Sequence, residues 1–242
     1  MISIQQLSVR YGDKTAVDSL SFDIEPGLLY GLLGPNGAGK TTTISCLCGL
    51  RTPTEGTVWV DGVNVAEDAQ GVRARVGYVP QELALYLELT VQKNLEIFGG
   101  LAGLGRDELR SRIGWALDVA QLSDRQNDVV DTLSGGMKRR LNMVASLLHK
   151  PRIIICDEPT TGVDPQSRNH LFETVKRLHQ EGCTVLYTTH YMEEVEALCD
   201  HVAIMDHGKL IAQDRLEVLL GGKESLEQVF LDLTGRGLRD AG

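Results

Sequence analysis

Gly34, Gly37, Gly39, Lys40 and Thr41 stand at the spacing of a loop that wraps a phosphate. The glycines permit backbone angles closed to other residues, so successive amides can turn inward toward phosphate oxygens while the lysine adds a point charge. Thr41 can offer its hydroxyl to Mg²⁺. Four fixed positions of this kind match by chance in a chain this long only roughly once in a hundred cases, which raises the run Gly34-Pro35-Asn36-Gly37-Ala38-Gly39-Lys40-Thr41 above an ordinary glycine turn.

A second candidate is Ile153-Ile154-Ile155-Cys156-Asp157-Glu158, an apolar run ending in two carboxylates. Ligands of open α/β sheets bind at the C-terminal ends of buried strands, where Asp157 could reach Mg²⁺ through water. Glu158, on the other side of the strand end, could orient or deprotonate an attacking water. Two acids in a solvated turn are the plainer reading, and the upstream phosphate loop weighs against it. The third candidate is Leu133-Ser134-Gly135-Gly136-Met137, an N-cap, a glycine pair and the start of a basic helix through Lys138, Arg139 and Arg140. Its amides could meet a phosphate, or it could be a capped helix with a basic exposed face. Gln81, His190 and Tyr11 are weaker signals. On spacing alone each fits a solvated, structural or packing role as well as a functional one, although Tyr11 could stack on a base.

These residues need rigid elements behind them. Alternation in Ile2-Ser3-Ile4-Gln5 and in Leu20 to Ile24 predicts short strands, and the apolar run 28–33 predicts a buried strand feeding the phosphate loop. Helical periodicity follows over 40–50, then a strand around 57–60 that ends at Asp61-Gly62. From about 81 to 150 the pattern is helical (91–101, 107–119, 135–148) with no convincing strand, which reads as a helical insertion. Alternation then resumes with strand 152–156, helix 165–179, strand 184–188, helix 191–198, strand 202–205 and a hairpin at Asp206-His207-Gly208. Strands alternating with helices predict a mainly parallel sheet covered on both faces. The main α/β unit is expected over 1–222, with a helical tail over 223–242 that sets Leu226, Val229, Phe230 and Leu233 on one face.

A chain of 242 residues, 42% hydrophobic, has enough apolar content for a real core without staples. Its net charge of −9 provides no global basic field for nonspecific nucleic-acid binding, so any anion must be held by local geometry. The N-terminus lacks the pattern of a signal peptide and no apolar run approaches the ~18 residues needed to span a bilayer, so a cytoplasmic chain is expected. Five cysteines (Cys46, Cys48, Cys156, Cys183, Cys199) show no CxxC spacing and are expected as buried free thiols.

In order and content these motifs resemble the nucleotide-binding domain of ATP-binding cassette (ABC) transporters, along essentially the whole chain. Tyr11 matches the aromatic adenine-stacking position, Gly34 to Thr42 the Walker A loop, Gln81 the Q-loop and Leu133 to Met137 the signature. Ile153 to Glu158 match Walker B, Thr161-Gly162-Val163-Asp164 the D-loop, and His190 the switch histidine. The resemblance implies a P-loop NTPase with a mainly parallel central sheet, an N-terminal antiparallel β-subdomain and an inserted helical subdomain. It implies ATP and Mg²⁺ as ligands. Lys40 and the loop amides would hold phosphates, Thr41, Gln81 and Asp157 would organise Mg²⁺, Glu158 would act on water and His190 would contact the γ-phosphate. Two domains would pair head to tail, so that Ser134, Gly135, Gly136 and Asp164 serve a nucleotide on the other copy.

Two departures stand out. Met137 replaces the commonest Gln, and Thr161-Gly162-Val163 replaces Ser-Ala-Leu. Both resemble the branch serving ABC-2-type exporters, as does the tail Leu226 to Thr234. This implies a membrane-spanning permease as partner, which would hold the chain at the inner face of the cell membrane. The apolar Glu82 to Leu87 is either the docking surface for that partner or packing of the helical insertion. The competing class, an ABC ATPase acting on nucleic acid or ribosomes, lacks its second cassette or long coiled coil here. A GTPase or small-molecule kinase would share only the phosphate loop, and no Asn-Lys-x-Asp run is present.

Overall fold

The computed structural model describes residues 1–235. Two sheets form the frame. The N-terminal sheet is antiparallel and is built from β1 (Ile2–Tyr11), β2 (Lys14–Ile24), β4 (Glu55–Val60) and β5 (Val63–Asn64), in the order β2-β1-β4-β5. Alternation in β1 and β2 buries Ile2, Ile4, Leu20, Phe22 and Ile24 on one face, as a half-solvated antiparallel sheet requires.

The second sheet contains β3 (Leu29–Leu33), β6 (Val76–Val79), β7 (Ile153–Asp157), β8 (Thr184–Thr189), β9 (His201–Asp206) and β10 (Lys209–Arg215), in the order β10-β9-β3-β8-β7-β6. All neighbours are parallel except the β9–β10 hairpin. β3, β7 and β8 are buried throughout, which explains their unbroken apolar reading. The short strand β6 went unread in the sequence. It is a four-residue edge strand interrupted by Gly77, and it delivers Gln81 to the sheet's C-terminal end.

The helices are α1 (Lys40–Leu47), α2 (Ala69–Arg73), α3 (Val91–Leu101), α4 (Arg106–Val119), α5 (Gly135–Ala145), α6 (Pro165–Gln180), α7 (Met192–Leu198), α8 (Leu216–Leu220) and α9 (Leu226–Thr234). One core lies between the two sheets and α1, centred on Leu7, Leu32, Ile44, Ile153 and Leu186. A second lies on the other face of the parallel sheet, under α6, α7 and α9. A third joins α3, α4 and α5 through Leu95, Ala116, Leu141 and Val144.

Several predicted bounds shift. α1 stops at Leu47 because Gly49 takes φ +63°, and α5 stops at Ala145 although Leu147 and Leu148 stay buried beyond it. In the tail, Leu226, Val229 and Phe230 are buried, whereas Leu233, on the same helical face one turn on, is exposed. Residues 236–242 of the predicted tail lie outside the described residues. All five cysteines are free; four are buried, whereas Cys183 is only partly so. Burial pushes the Cys156 thiol up to about 12, consistent with an inert core residue.

Candidate nucleotide site

The turn between β3 and α1 lies at the C-terminal edge of the parallel sheet, where β7 and β8 also end. Gly39 has φ +104°, and a Cβ there would stand 2.6 Å from Ala16 O, so both conformation and space require glycine. Lys40 is buried, and its Nζ donates to Gly34 O at 2.7 Å and to Pro35 O at 3.3 Å. Its third neighbour is Glu158 Oε1 at 2.9 Å, in a pair whose side chains are both about 5% exposed or less. Ala38 packs into the core beneath the loop.

Asp157 and Glu158 diverge from the end of β7. Asp157 Oδ1 accepts from Thr41 Oγ1 at 3.3 Å and Thr188 Oγ1 at 2.9 Å, while its Oδ2 is buried with no hydrogen-bond partner among the described residues. Burial raises the Asp157 carboxyl above the usual range, and the Thr188 and Thr41 hydroxyls partly offset this. Glu158 adopts φ +44°, a left-handed conformation rare for a non-glycine residue, and its N–H donates to Thr188 O and Thr188 Oγ1, both at 3.1 Å. Its Oε2 lies 3.0 Å from His190 Nδ1 and accepts from Thr161 Oγ1 at 3.4 Å. One carboxylate therefore touches Lys40, His190 and Thr161 together.

Above this cluster opens a cleft of about 570 Å³ lined by Tyr11, Asn36, Gly37, Gly39, Lys40, Thr41, Thr42, Gln81 and Glu158, with Lys14, Thr15, Ala16 and His207. Tyr11 is exposed, with the Arg51 guanidinium 4.0 Å from its ring centroid. Gln81 gains a fixed backbone: its carbonyl accepts from Arg139 Nη1, while Arg139 Nη2 donates to Thr161 O at 3.1 Å. Burial lowers the Arg139 pKa.

Ser134, Gly135 and Gly136 are absent from the cleft lining, as is Asp164. Ser134 is an N-cap whose hydroxyl accepts from Met137 N at 3.3 Å; it and Gly135 are exposed. Gly136 is buried against Ser167 at the start of α6, and a Cβ there would collide with Ser167 Oγ, so the contact requires glycine. Asp164 caps α6, accepting from Ser167 N at 3.0 Å. The cap reading of Ser134 thus holds within one chain, and the phosphate-contact reading needs a second.

Sequence reasoning gives no role to Thr188, which braces Asp157 and Glu158, nor to Lys14 and His207, and it reads Arg139 only as part of a basic exposed helix face, whereas Arg139 is half-buried. A pair of threonines ending the apolar strand Val185 to Thr189 was the available signal for the first. Single basic residues in loops and helices gave none for the others.

A family described as ABC transporter matches residues 17–161. Along its full length the chain is 45% identical to the Linearmycin resistance ATP-binding protein LnrL of Bacillus subtilis, covering 77% of that protein. Over 91% of its length it is 44% identical to the Nod factor export ATP-binding protein I of Ralstonia nicotianae, covering 68% of that protein. An ATP-binding subunit of an ABC transporter superposes with a TM-score of 0.88 at 28% identity, over 97% of this chain and 99% of that one. The ATP-binding cassette MJ0796, solved as a dimer in a post-hydrolysis state with ADP and Pi, superposes at 0.78 and 25% identity, over 89% and 99%. With its phosphate loop, paired carboxylates and capped glycine pair on this frame, the chain belongs to the ABC transporter family as an ATP-binding cassette.

Proposed function

We propose that this cassette is the ATP-hydrolysing subunit of an exporter, driving a separate membrane-spanning permease through ATP-dependent, head-to-tail pairing of two copies. The observation that carries the reading is the division of the motifs. Tyr11, the glycine loop, Gln81 and Glu158 share one cleft, while Ser134 and Gly135 are exposed away from its lining. An exposed, glycine-rich N-terminus of α5 suits the polyphosphate of another copy. Export is supported by relatives whose names refer to linearmycin resistance and Nod factor export.

The bound substrate would stack its base on Tyr11 and place its phosphates against the amides of Gly34 to Thr42 and Lys40. Asp157 Oδ2, buried beside Thr41 and unpartnered among the described residues, fits a hard divalent ion that keeps most of its shell from phosphates and water. Gln81, which also lines the cleft, would complete the set. Among the described residues no cluster of three His, Cys, Asp or Glu forms a metal cage, as befits Mg²⁺ held mainly by the nucleotide. Bound there, Mg²⁺ would neutralise phosphate charge during the transfer.

Glu158 would accept a proton from water as it attacks the γ-phosphorus. His190, 3.0 Å from that carboxylate, would contact the γ-phosphate, and the reaction is ATP + H₂O → ADP + phosphate. Ser134, Gly135, Gly136 and Asp164 would complete the site on the partner copy. The proposed ATPase unit is 1–222 with a helical insertion over about 81–150, followed by a C-terminal tail whose described part, through Gly235, carries α9.

No helix among the described residues is long and apolar enough to cross a membrane. The proposed permease contact is the segment after Gln81, where Leu83, Tyr86 and Leu87 are exposed while Leu85 packs inward on the helical core. Docking there would hold the cassette at the inner face of the cell membrane. The test is purification of the tagged chain from detergent-solubilised membranes. A spanning subunit recovered in fixed ratio supports the proposal, and recovery with no spanning protein overturns it.

A further inference from the structure

Glu194 is a carboxylate with no place in the chemistry above, yet it is 1% exposed on the first turn of α7. No ion pair reaches it among the described residues; three hydroxyls surround it instead. Thr160 Oγ1 donates to Oε1 at 2.8 Å, while Thr189 Oγ1 at 2.8 Å and Tyr187 OH at 3.1 Å donate to Oε2. Burying a carboxylate without a cation costs several kcal/mol before its hydrogen bonds offset the loss. A stability role alone would be met more cheaply by an apolar side chain.

The donors sit in informative places. Thr160 lies two residues after Glu158, in the turn leaving β7, and Thr189 immediately precedes His190 at the end of β8. Thr189 Oγ1 also accepts from Tyr191 N at 3.0 Å, so the turn bearing His190 is held from both sides. The left-handed Glu158 needs such support, because a strained φ persists only where its surroundings determine it.

We infer that Glu194 is a positioning residue for hydrolysis: one buried carboxylate ties the turn carrying Glu158 to the turn carrying His190 and keeps their side chains in contact. A carboxylate suits the task because it accepts from all three hydroxyls at once. The amide of glutamine accepts at one atom only and presents hydrogens at the other. The inference rests on the reading of Glu158 and His190 as the hydrolytic pair.

Phosphate release and fluorescent-nucleotide binding are measured on the intact chain for Glu194→Gln, Glu158→Gln and the double variant, and for Thr160→Val beside Thr160→Ser. Misplacement of the pair should lower kcat about 10- to 100-fold in Glu194→Gln, with nucleotide affinity within about twofold of the parent. Thr160→Val should lower kcat in the same direction, and Thr160→Ser, which keeps the hydroxyl, should restore it. In the double variant Glu194→Gln should add nothing to the loss from Glu158→Gln, since no base remains to position.

Parent-like kcat in Glu194→Gln, a proportional loss of nucleotide affinity, or additive losses in the double variant would each overturn the inference. If Glu194→Gln fails to fold, the Thr160 pair decides: equal kcat in Thr160→Val and Thr160→Ser overturns it. A parent rate in Glu158→Gln would instead refute the underlying reading of the pair.

Discussion

Replacing Glu158 with Gln keeps shape and volume but removes one buried negative charge. That charge has two visible partners, Lys40 Nζ at 2.9 Å and His190 Nδ1 at 3.0 Å. The amide oxygen can still accept from Lys40, so the fold should survive, unlike deletion of one member of a buried pair, which typically costs about 3–5 kcal/mol. Loss of a general base slows a reaction by roughly 10²- to 10⁴-fold, or about 3–5 kcal/mol of barrier. Binding should move the other way. At 4 Å and an effective dielectric near 20, two unit charges interact by about 4 kcal/mol, so removing the carboxylate lifts a repulsion on the incoming polyphosphate. The expectation is therefore a chain that hydrolyses 10²- to 10⁴-fold more slowly, binds ATP at least as well, and accumulates as an ATP-loaded pair. Phosphate release measures the first effect, and light scattering with and without ATP measures the last. Turnover at the parent rate would refute Glu158 as the base. A rate loss matched by lost ATP affinity would show that Glu158 acts only by orienting Lys40.

Three further outcomes follow from the same geometry. Ser134→Arg should block hydrolysis while the monomer still binds ATP, because the bulk falls in the partner's site; equal loss of monomer binding would argue against a composite site. Asp157→Asn should abolish Mg²⁺-dependent hydrolysis yet stabilise the fold near neutral pH, raising Tm by roughly 2–4 °C per kcal/mol recovered. Burial raises the Asp157 carboxyl in the folded chain, so its favourable contribution is complete below the ordinary carboxylate range and is lost as pH rises through the folded value. The stability gain of the variant should accordingly vanish in acid, and a gain independent of pH in thermal melts would contradict the assignment. Tyr11→Ala should raise KM for ATP by roughly 5- to 150-fold, the equivalent of about 1–3 kcal/mol of base stacking, with a far smaller effect on kcat; an unchanged KM would remove Tyr11 from the base site.

The phosphate loop was legible because everything that defines it is local: glycine spacing, a preceding apolar strand and a following helix, all between Leu29 and Leu47. The same holds for Asp157 and Glu158, whose position follows from where an apolar run stops. The scaffold behind them was not legible. Thr188 reaches Glu158 across 30 residues of sequence and Thr160 reaches Glu194 across 34, contacts that exist only because β7 and β8 pair in parallel in one register. Strand β6 escaped because four residues with a central glycine give too short an alternation to read, although the sheet supplies its partner. Leu233 lies on the apolar helical face the periodicity predicts yet stays exposed, because periodicity gives the direction of a side chain along a helix, and what covers that direction is a tertiary fact.

The placement of α5 connects the two halves of the proposed site within a single chain. Its N-terminus carries the exposed Ser134 cap, and one turn later Arg139 bonds Gln81 O on one side and Thr161 O on the other. These two carbonyls belong to different loops, one leaving β6 with a cleft-lining glutamine, the other leaving β7 just after Glu158. A guanidinium fork satisfies both at once, which a lysine ammonium on a flexible stem would do less rigidly. Because burial lowers the Arg139 pKa and its bonds run to neutral carbonyls, its contribution is geometric more than coulombic. Gly136 presses α5 against Ser167 and the cap of α6, so the helix cannot shift without disturbing the Thr161 to Asp164 turn. The exposed end of α5, the backbone of Gln81 and the turn following Glu158 are thus joined through one helix, the connection that the proposed composite site would use.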